Sequence, residues 1–300
     1  MATFAAISAA FRTLEHTAPG LGGRWAERLW FTVPDSGARA DVTPTAPGRP
    51  LELRLQGGLL VGQHFGEGPV VYLMHGWGGR RAHLGAFVDP LVAAGFSVIA
   101  VDATSHGDSG PGEAGPGRST ILEFADLLAA LSAAVGPAHA VVAHSIGCMA
   151  TSVALQREEL SAGRLVFIGP MADIRPYTRE FARRVGFGER IRTRMVRRIE
   201  QRVSMDLAYF DVPSMADRMS APPPPLLLIH DRQDKETRPS DSEDIAAAWP
   251  DSQLTLTSGF GHRRILSAPE VVREAVSFIT TPAPSPIPSP AAPGHDVSAR

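Results

Sequence analysis

Six short apolar runs, at 70–74, 96–101, 140–142, 165–168, 226–229 and 254–257, recur along the chain, separated by stretches long enough to hold a helix each. Most of these runs are apolar on both faces of a strand, as strands buried inside a parallel sheet must be. The intervening segments 81–94, 120–135, 146–157, 242–249 and 269–279 carry apolar residues at helical period. Repeated strand–helix–strand units close with right-handed crossovers, which places helices on both faces of one sheet. Upstream, 51–55 and 59–64 flank Gly57-Gly58 and read as an antiparallel hairpin, so the expected sheet is mixed but mostly parallel.

Composition limits what such a chain can do. Of 300 residues 44% are hydrophobic and 20% charged, with a formal net charge of −2. That is enough apolar surface for a sizeable core, and no global field that would hold nucleic acid or an anionic membrane. Cys148 is the sole cysteine, which excludes an intrachain disulfide and thiolate-cluster metal sites. Lys235 is the sole lysine, so the positive charge is arginine-biased and any single Arg carries less information. Met1 to Ala10 begins without a basic residue, and Arg12 and Glu15 interrupt the apolar run, so a cytoplasmic location is expected rather than export. No stretch approaches the roughly 20 apolar residues of a membrane span. Phe11, Leu14, Leu21, Trp25, Leu29 and Trp30 suggest helix docked on the body within 4–30, whereas 281–300 is a Pro/Ser/Ala tail that cannot pack a core.

Chemistry enters at Ala140-Val141-Val142-Ala143-His144-Ser145-Ile146-Gly147, where a buried strand meets a helix with a serine in the turn. This resembles a nucleophile elbow, in which residues two positions either side of the serine must be small so that strand and helix pass closely. Ala143 and Gly147 meet that requirement, although the usual pattern has glycine at the first of these positions. The bland alternative is an ordinary serine N-cap.

The order of the remaining motifs is similar to that of the α/β-hydrolase superfamily from about residue 51 to 279. His75-Gly76-Trp77-Gly78-Gly79 follows a strand as an H-G-x-G-G loop, Asp102 to Ser109 resembles D-x-x-x-H-G-x-S, and His230-Asp231-Arg232-Gln233-Asp234 resembles H-G-x-x-D before a proline. Gly259-Phe260-Gly261-His262 stands between the last strand and the last helix. The resemblance implies an α/β-hydrolase fold with a small helical lid, and a Ser145–His262–Asp234 triad. It also implies an oxyanion hole built from the backbone N–H groups of Trp77 and Ile146. Asp231 is the runner-up carboxylate. The Asp102 stretch receives no catalytic role.

The division implied is an N-terminal helical or irregular segment, 1–50, packed on a core of 51–170 and 222–280, with a cap inserted at 171–221 and a disordered tail at 281–300. Within the insert Ile191, Met195, Ile199 and Val203 define one apolar face. Arg190, Arg194, Arg197 and Arg198 lie largely off it; they read either as a solvated face or as a lure for an anionic substrate such as an acyl-CoA or a carboxylate. His75, Gly76, His144, Tyr177, Phe181, Tyr209 and Phe210 are the pocket candidates, with His75, His106 and His144 read as braces before proton carriers. Cys148 reads as a small buried hydrophobe, and no spacing of histidines matches a metal site. The expected function is hydrolysis of a carboxylic ester, or another small-molecule acyl substrate, without cofactor or metal. Thioester, amide, lactone or carbon–carbon bond hydrolysis on the same fold is the alternative, as is a non-catalytic ligand-binding member. Oligomeric state does not follow from these residues.

Overall fold

The computed structural model describes residues 2–34, 41–55 and 58–281. The chain opens with α1 (Ala2–Thr17) and α2 (Pro19–Trp30), broken where Pro19 takes the first turn of the second helix. β1 (Gly48–Leu55), β2 (Gly58–Phe65) and β3 (Val70–Met74) follow, then a 3-10 stretch, Arg81–Phe87, running into α3 (Val88–Ala93). β4 (Ser97–Val101), α4 (Ile121–Val135), β5 (Ala140–His144), α5 (Ile146–Gln156) and β6 (Leu165–Ile168) complete the first half. An insert of α6 (Ile174–Val185), α7 (Glu189–Val203) and α8 (Val212–Arg218) precedes β7 (Leu226–Asp231). α9 (Pro239–Ala248), β8 (Ser252–Thr257), α10 (Gly261–Arg264) and α11 (Pro269–Thr280) close the described chain.

The eight strands form one sheet in the order β1-β2-β4-β3-β5-β6-β7-β8. β2 is antiparallel to both neighbours, and every pairing from β4 to β8 is parallel. The hairpin and mixed sheet read from the sequence are present; its turn residues 56–57 lie outside the described residues, as does the tail from 282 on. Strand residues alternate between two cores. Tyr72, Met74, Ile99, Val141, Phe167 and Leu228 face α4, α5 and α9, whereas Val71, Leu73, Val98, Val142, Val166 and Ile229 face α3 and α11. All five residues of β5 are buried, which is why they read as one apolar run rather than an alternation. α4 begins where Thr120 accepts a hydrogen bond from the Glu123 N–H at 3.1 Å, a side-chain cap on an otherwise orphaned donor.

Two elements depart from the expected pattern. The segment 81–94 is a continuous helix by periodicity, yet its first half is 3-10. Gly85, within it, passes so close to residue 42 that an added Cβ would stand 1.9 Å from the Val42 carbonyl oxygen. The N-terminal segment, expected to pack on the core, meets it at Phe31 to Val33, which bond to residues 117–119, while α2 runs along α7 of the insert. Gly22 and Gly23 allow the approach, since a Cβ at either would meet Ile191 or Arg194 within 2.7 Å. Phe11 is fully buried, stacked on Trp25 at 4.3 Å and tilted against Phe187 at 5.0 Å.

The same packing explains the arginines of α7. Glu27, 4% exposed, accepts from Arg202 Nε at 2.6 Å and Arg198 Nε at 3.3 Å. Glu15 accepts the backbone N–H groups of Gly188, Arg190 and Ile191, and its carbonyl accepts from the Arg190 guanidinium. Arg194 folds back on the Arg190 carbonyl. Arg190, Arg198 and Arg202 thus fasten the N-terminal helices to the insert, which gives two of the four arginines read from the sequence, Arg190 and Arg198, a structural partner. No helix among the described residues is long and apolar enough to cross a membrane.

Candidate active site

Ser145 joins β5 to α5 with φ 55° and ψ −125°, a left-handed backbone that a non-glycine residue adopts only when its surroundings force it. Its N–H is tied to the Ile168 carbonyl at 3.0 Å, and its carbonyl accepts from Cys148 N–H. The space around this turn is set by two glycines. A Cβ at Gly147 would stand 2.6 Å from the His75 carbonyl, and one at Gly76 would stand 2.9 Å from Ser145 Cβ. Ala143, the departure from the usual glycine, is fully buried in β5 between β3 and β6. Among the described residues the Ser145 hydroxyl has no hydrogen-bond partner, and it opens onto a cavity. Cys148 is buried, which pushes its thiol well above the usual range and leaves it unreactive.

The loop crossing the elbow is held by two neutral histidines. His75 Nδ1–H donates to the Gly76 carbonyl at 2.8 Å, while its Nε2 accepts the Ala103 N–H at 3.0 Å. His106 Nδ1–H donates to the Thr104 carbonyl, and its Nε2 accepts the Gly78 N–H at 3.1 Å. Phe124 packs edge-on against both rings. Asp102 completes the bracing by accepting the N–H groups of Arg81 and Asp108 and pairing with the Arg81 guanidinium. The backbone N–H groups of Trp77 and Ile146, by contrast, have no acceptor among the described residues. They are available to a developing negative charge above Ser145.

Burial holds His75 down to about 4 and His106 to about 3, so each imidazole stays neutral and keeps its acceptor nitrogen. An unfolded chain takes up these protons below the ordinary histidine value of 6.5, whereas the folded chain does not. Stability is therefore full above 6.5 and falls with pH until the folded values near 4 and 3 are reached. Each histidine contributes up to about 1.4 kcal/mol per pH unit within that window. His106→Gln should make the fall between about pH 6 and 5 shallower in urea-unfolding midpoints; a variant with the wild-type slope would contradict this account.

On the other side of the elbow, β7 delivers two carboxylates with different tasks. Asp234, its side chain 1% exposed, accepts His262 Nδ1–H on Oδ2 at 2.7 Å. Oδ2 also takes the Thr237 hydroxyl at 3.0 Å and faces His230 Nε2 at 3.5 Å, while Oδ1 takes the N–H groups of Glu236 and Thr237. Burial opposes the charged form, but the hydrogen bonds from His230, His262 and Thr237 overcome it and hold this carboxyl far below the usual range. Asp231 faces away from His262. It accepts Gln233 N–H on one oxygen and Phe260 N–H and the Thr257 hydroxyl on the other, anchoring the histidine loop. Gly169, at φ +54°, fits beside the pair, where a Cβ would stand 3.3 Å from both Asp234 Oδ2 and His262 Nδ1.

The structure therefore brings Ser145, His262, Trp77 and Ile146 to the lining of one cavity, with Asp234 hydrogen-bonded to His262. Gly76, His144, Tyr177, Phe181 and Phe210 also line it. His75 and Tyr209 do not: the first is consumed under the loop, and the second packs against Phe210 and beneath the Arg218 guanidinium. His144 reaches across the fold to donate Nε2–H to the His262 carbonyl at 2.9 Å, and burial keeps it neutral. It braces the histidine loop more than it shapes the pocket. Sequence reasoning gave no role to Thr237, His230 or Gly169, although His230 opens the H-G-x-x-D stretch and Thr237 stands in an Asp-x-x-Thr turn whose N–H returns to the Asp234 carboxylate.

The cavity, about 1070 Å³, is roofed by the insert and by the N-terminal helices. Phe4, Leu29, Trp30 and Phe31 contribute from one side, and Ile174, Phe181, Ile199 and Val203 from the other. Of the four-residue apolar repeat on α7, Ile199 and Val203 thus face the cavity, while Ile191 meets Gly22 of α2.

Comparison with known proteins adds the lineage. A model described as the alpha/beta hydrolase family matches residues 70–275. Among solved structures, a thermophilic esterase from Thermogutta terrifontis is 21% identical, aligned over 78% of this chain and 100% of its own, with a TM-score of 0.56. A monoacylglycerol lipase from Paleococcus ferrophilus is 21% identical over 74% of this chain and 98% of its own, at 0.57. The thioesterase domain from the curacin biosynthetic pathway is 16% identical over 78% and 100%, at 0.56. No curated protein sequence matches the chain. Likeness at these identities speaks for the fold alone, but the family match runs from β3 into α11 over more than half of the residues, and the chain belongs to the alpha/beta hydrolase family.

Proposed function

We propose that this chain is a serine hydrolase that cleaves a carboxylic ester, or a closely related acyl bond, through a covalent acyl-enzyme. The observation that carries the reading is the 2.7 Å contact between His262 Nδ1 and a buried Asp234, with His262 lining the same cavity as a serine held in a strained elbow. Asp234 fixes the proton on Nδ1, which leaves Nε2 as the base. His262 takes the Ser145 proton as Oγ attacks the substrate carbonyl, and the N–H groups of Trp77 and Ile146 receive the oxyanion. The protonated imidazole then gives its proton to the departing alkoxide. Water, deprotonated by His262, attacks the acyl-enzyme; collapse returns the proton to Ser145 and releases the acid.

An esterase, a lipase and a thioesterase domain on the same fold agree with this reaction class, and fold analogy is all they lend. Its direct test is a fluorophosphonate probe. One phosphonyl group should appear per chain, on the peptide containing Ser145, and none on Ser145→Ala; a folded wild-type chain that stays unlabelled would leave a ligand-binding protein instead.

A further inference from the structure

His262 meets a second carboxylate, on the nitrogen that Asp234 leaves free. Asp234 accepts Nδ1–H at 2.7 Å, and Glu236 Oε2 stands 3.9 Å from Nε2. The two acids differ in exposure: the Asp234 side chain is 1% exposed and that of Glu236 48%, at the lining of the cavity onto which Ser145 opens. Glu236 is nevertheless held at both ends. Its N–H donates to Asp234 Oδ1 at 2.7 Å, so the residue belongs to the turn that carries the acid. Its Oε1 accepts Arg263 Nε at 3.2 Å, and Arg263 follows His262 in α10, so the guanidinium stands on the same short helix as the base and leaves Oε2 for Nε2.

A separation of 3.9 Å is too long for a hydrogen bond and short enough for one water to span. An oxygen about 2.8 Å from both atoms sees them at an angle of about 90°, close to the angle between the two O–H bonds of a water molecule. Both atoms are acceptors, since Asp234 keeps the imidazole proton on Nδ1 and Glu236 presents a carboxylate oxygen. A water there points its hydrogens into the pair and keeps its lone pairs for an electrophile. Resting on the reading of Ser145 as the nucleophile, we infer that Glu236 positions the hydrolytic water, and so serves the breakdown of the acyl-enzyme and not its formation. In that step the water oxygen bonds to the acyl carbon while one hydrogen passes to His262 Nε2. The other hydrogen stays on the oxygen, bonded to Glu236, and leaves with the product acid. The Ser145 oxygen departs from the carbon and takes back the imidazolium proton, so Glu236 gains and loses none. Formation of the acyl-enzyme needs no such water, because Ser145 supplies the attacking oxygen.

A carbamate separates the two halves of the cycle. p-Nitrophenyl dimethylcarbamate releases p-nitrophenolate as it loads the serine, and the carbamoyl-enzyme breaks down slowly enough to be timed, after dilution, by the return of p-nitrophenyl butyrate hydrolysis. Glu236→Ala should load at the wild-type rate and recover roughly 10- to 100-fold more slowly, the worth of one hydrogen bond to a charged group. Glu236→Asp, which keeps the carboxylate but draws it back by one methylene, should recover at an intermediate rate. Recovery of Glu236→Ala at the wild-type rate would overturn the inference, as would loading slowed as much as recovery, which would mean that Glu236 acts on His262 itself. A wild-type chain that releases no p-nitrophenolate from either substrate would remove the proposed function instead.

Discussion

Ser145→Ala is expected to reduce kcat by roughly 10⁴- to 10⁶-fold and to leave the thermal midpoint unchanged. On the proposed mechanism activity falls because the Ser145 oxygen would carry the acyl group; what remains is whatever the Trp77 and Ile146 N–H groups and the apolar lining can do for water alone. The fold survives because the hydroxyl has no hydrogen-bond partner to lose among the described residues, and alanine meets the same left-handed backbone at φ 55° that serine already occupies. Steady-state kinetics on a p-nitrophenyl ester and a melting curve are sufficient. Near wild-type turnover by the folded variant would end the proposed mechanism, and a large drop in midpoint would show that the serine has a structural task.

Asp234→Asn should cost about 10⁴ in kcat with substrate binding little affected. The reason is in the two oxygens. Oδ1 accepts two backbone N–H groups, from Glu236 and Thr237, so the amide of asparagine must place its carbonyl there and turn its NH₂ toward His262 Nδ1. An NH₂ facing Nδ1 makes that nitrogen the acceptor and moves the imidazole proton to Nε2, where it blocks the base. Combining Asp234→Asn with Ser145→Ala should give no further loss, because the three groups act as one unit. Asp231→Asn separates the neighbouring carboxylate: it should lower the melting midpoint through the Phe260 and Gln233 contacts and affect kcat far less. If the two substitutions exchanged these effects, Asp231 would be the acid and the assignment would be inverted.

Much of this architecture was legible along the chain because the governing interactions are local. Buried parallel strands must be apolar on both faces, so β3 to β7 announce themselves as short runs; an elbow needs small residues at 143 and 147, and close approach by His75 and Met74 makes the second of them glycine. A strand that is apolar throughout also fixes where the chain turns, and so the order in which serine, acid and histidine reach one end of the sheet.

What local pattern leaves open is which partner an amphipathic surface will choose. The apolar face of α2 would satisfy the sheet or the insert equally well in sequence terms; the glycine pair at 22 and 23 and the buried Glu27 decide for α7, and with it the roof of the cavity. The same holds for Asp231 and Asp234, three residues apart at the end of β7, of which only tertiary packing turns one toward Phe260 and the other toward His262. The sequence by itself determined the strand succession, the elbow and the residue types of the relay, since these answer to constraints spanning a few residues. Tertiary structure alone decided which carboxylate meets His262 and which side chains line the cavity, because each depends on the distance between groups that the chain separates by tens of residues or more.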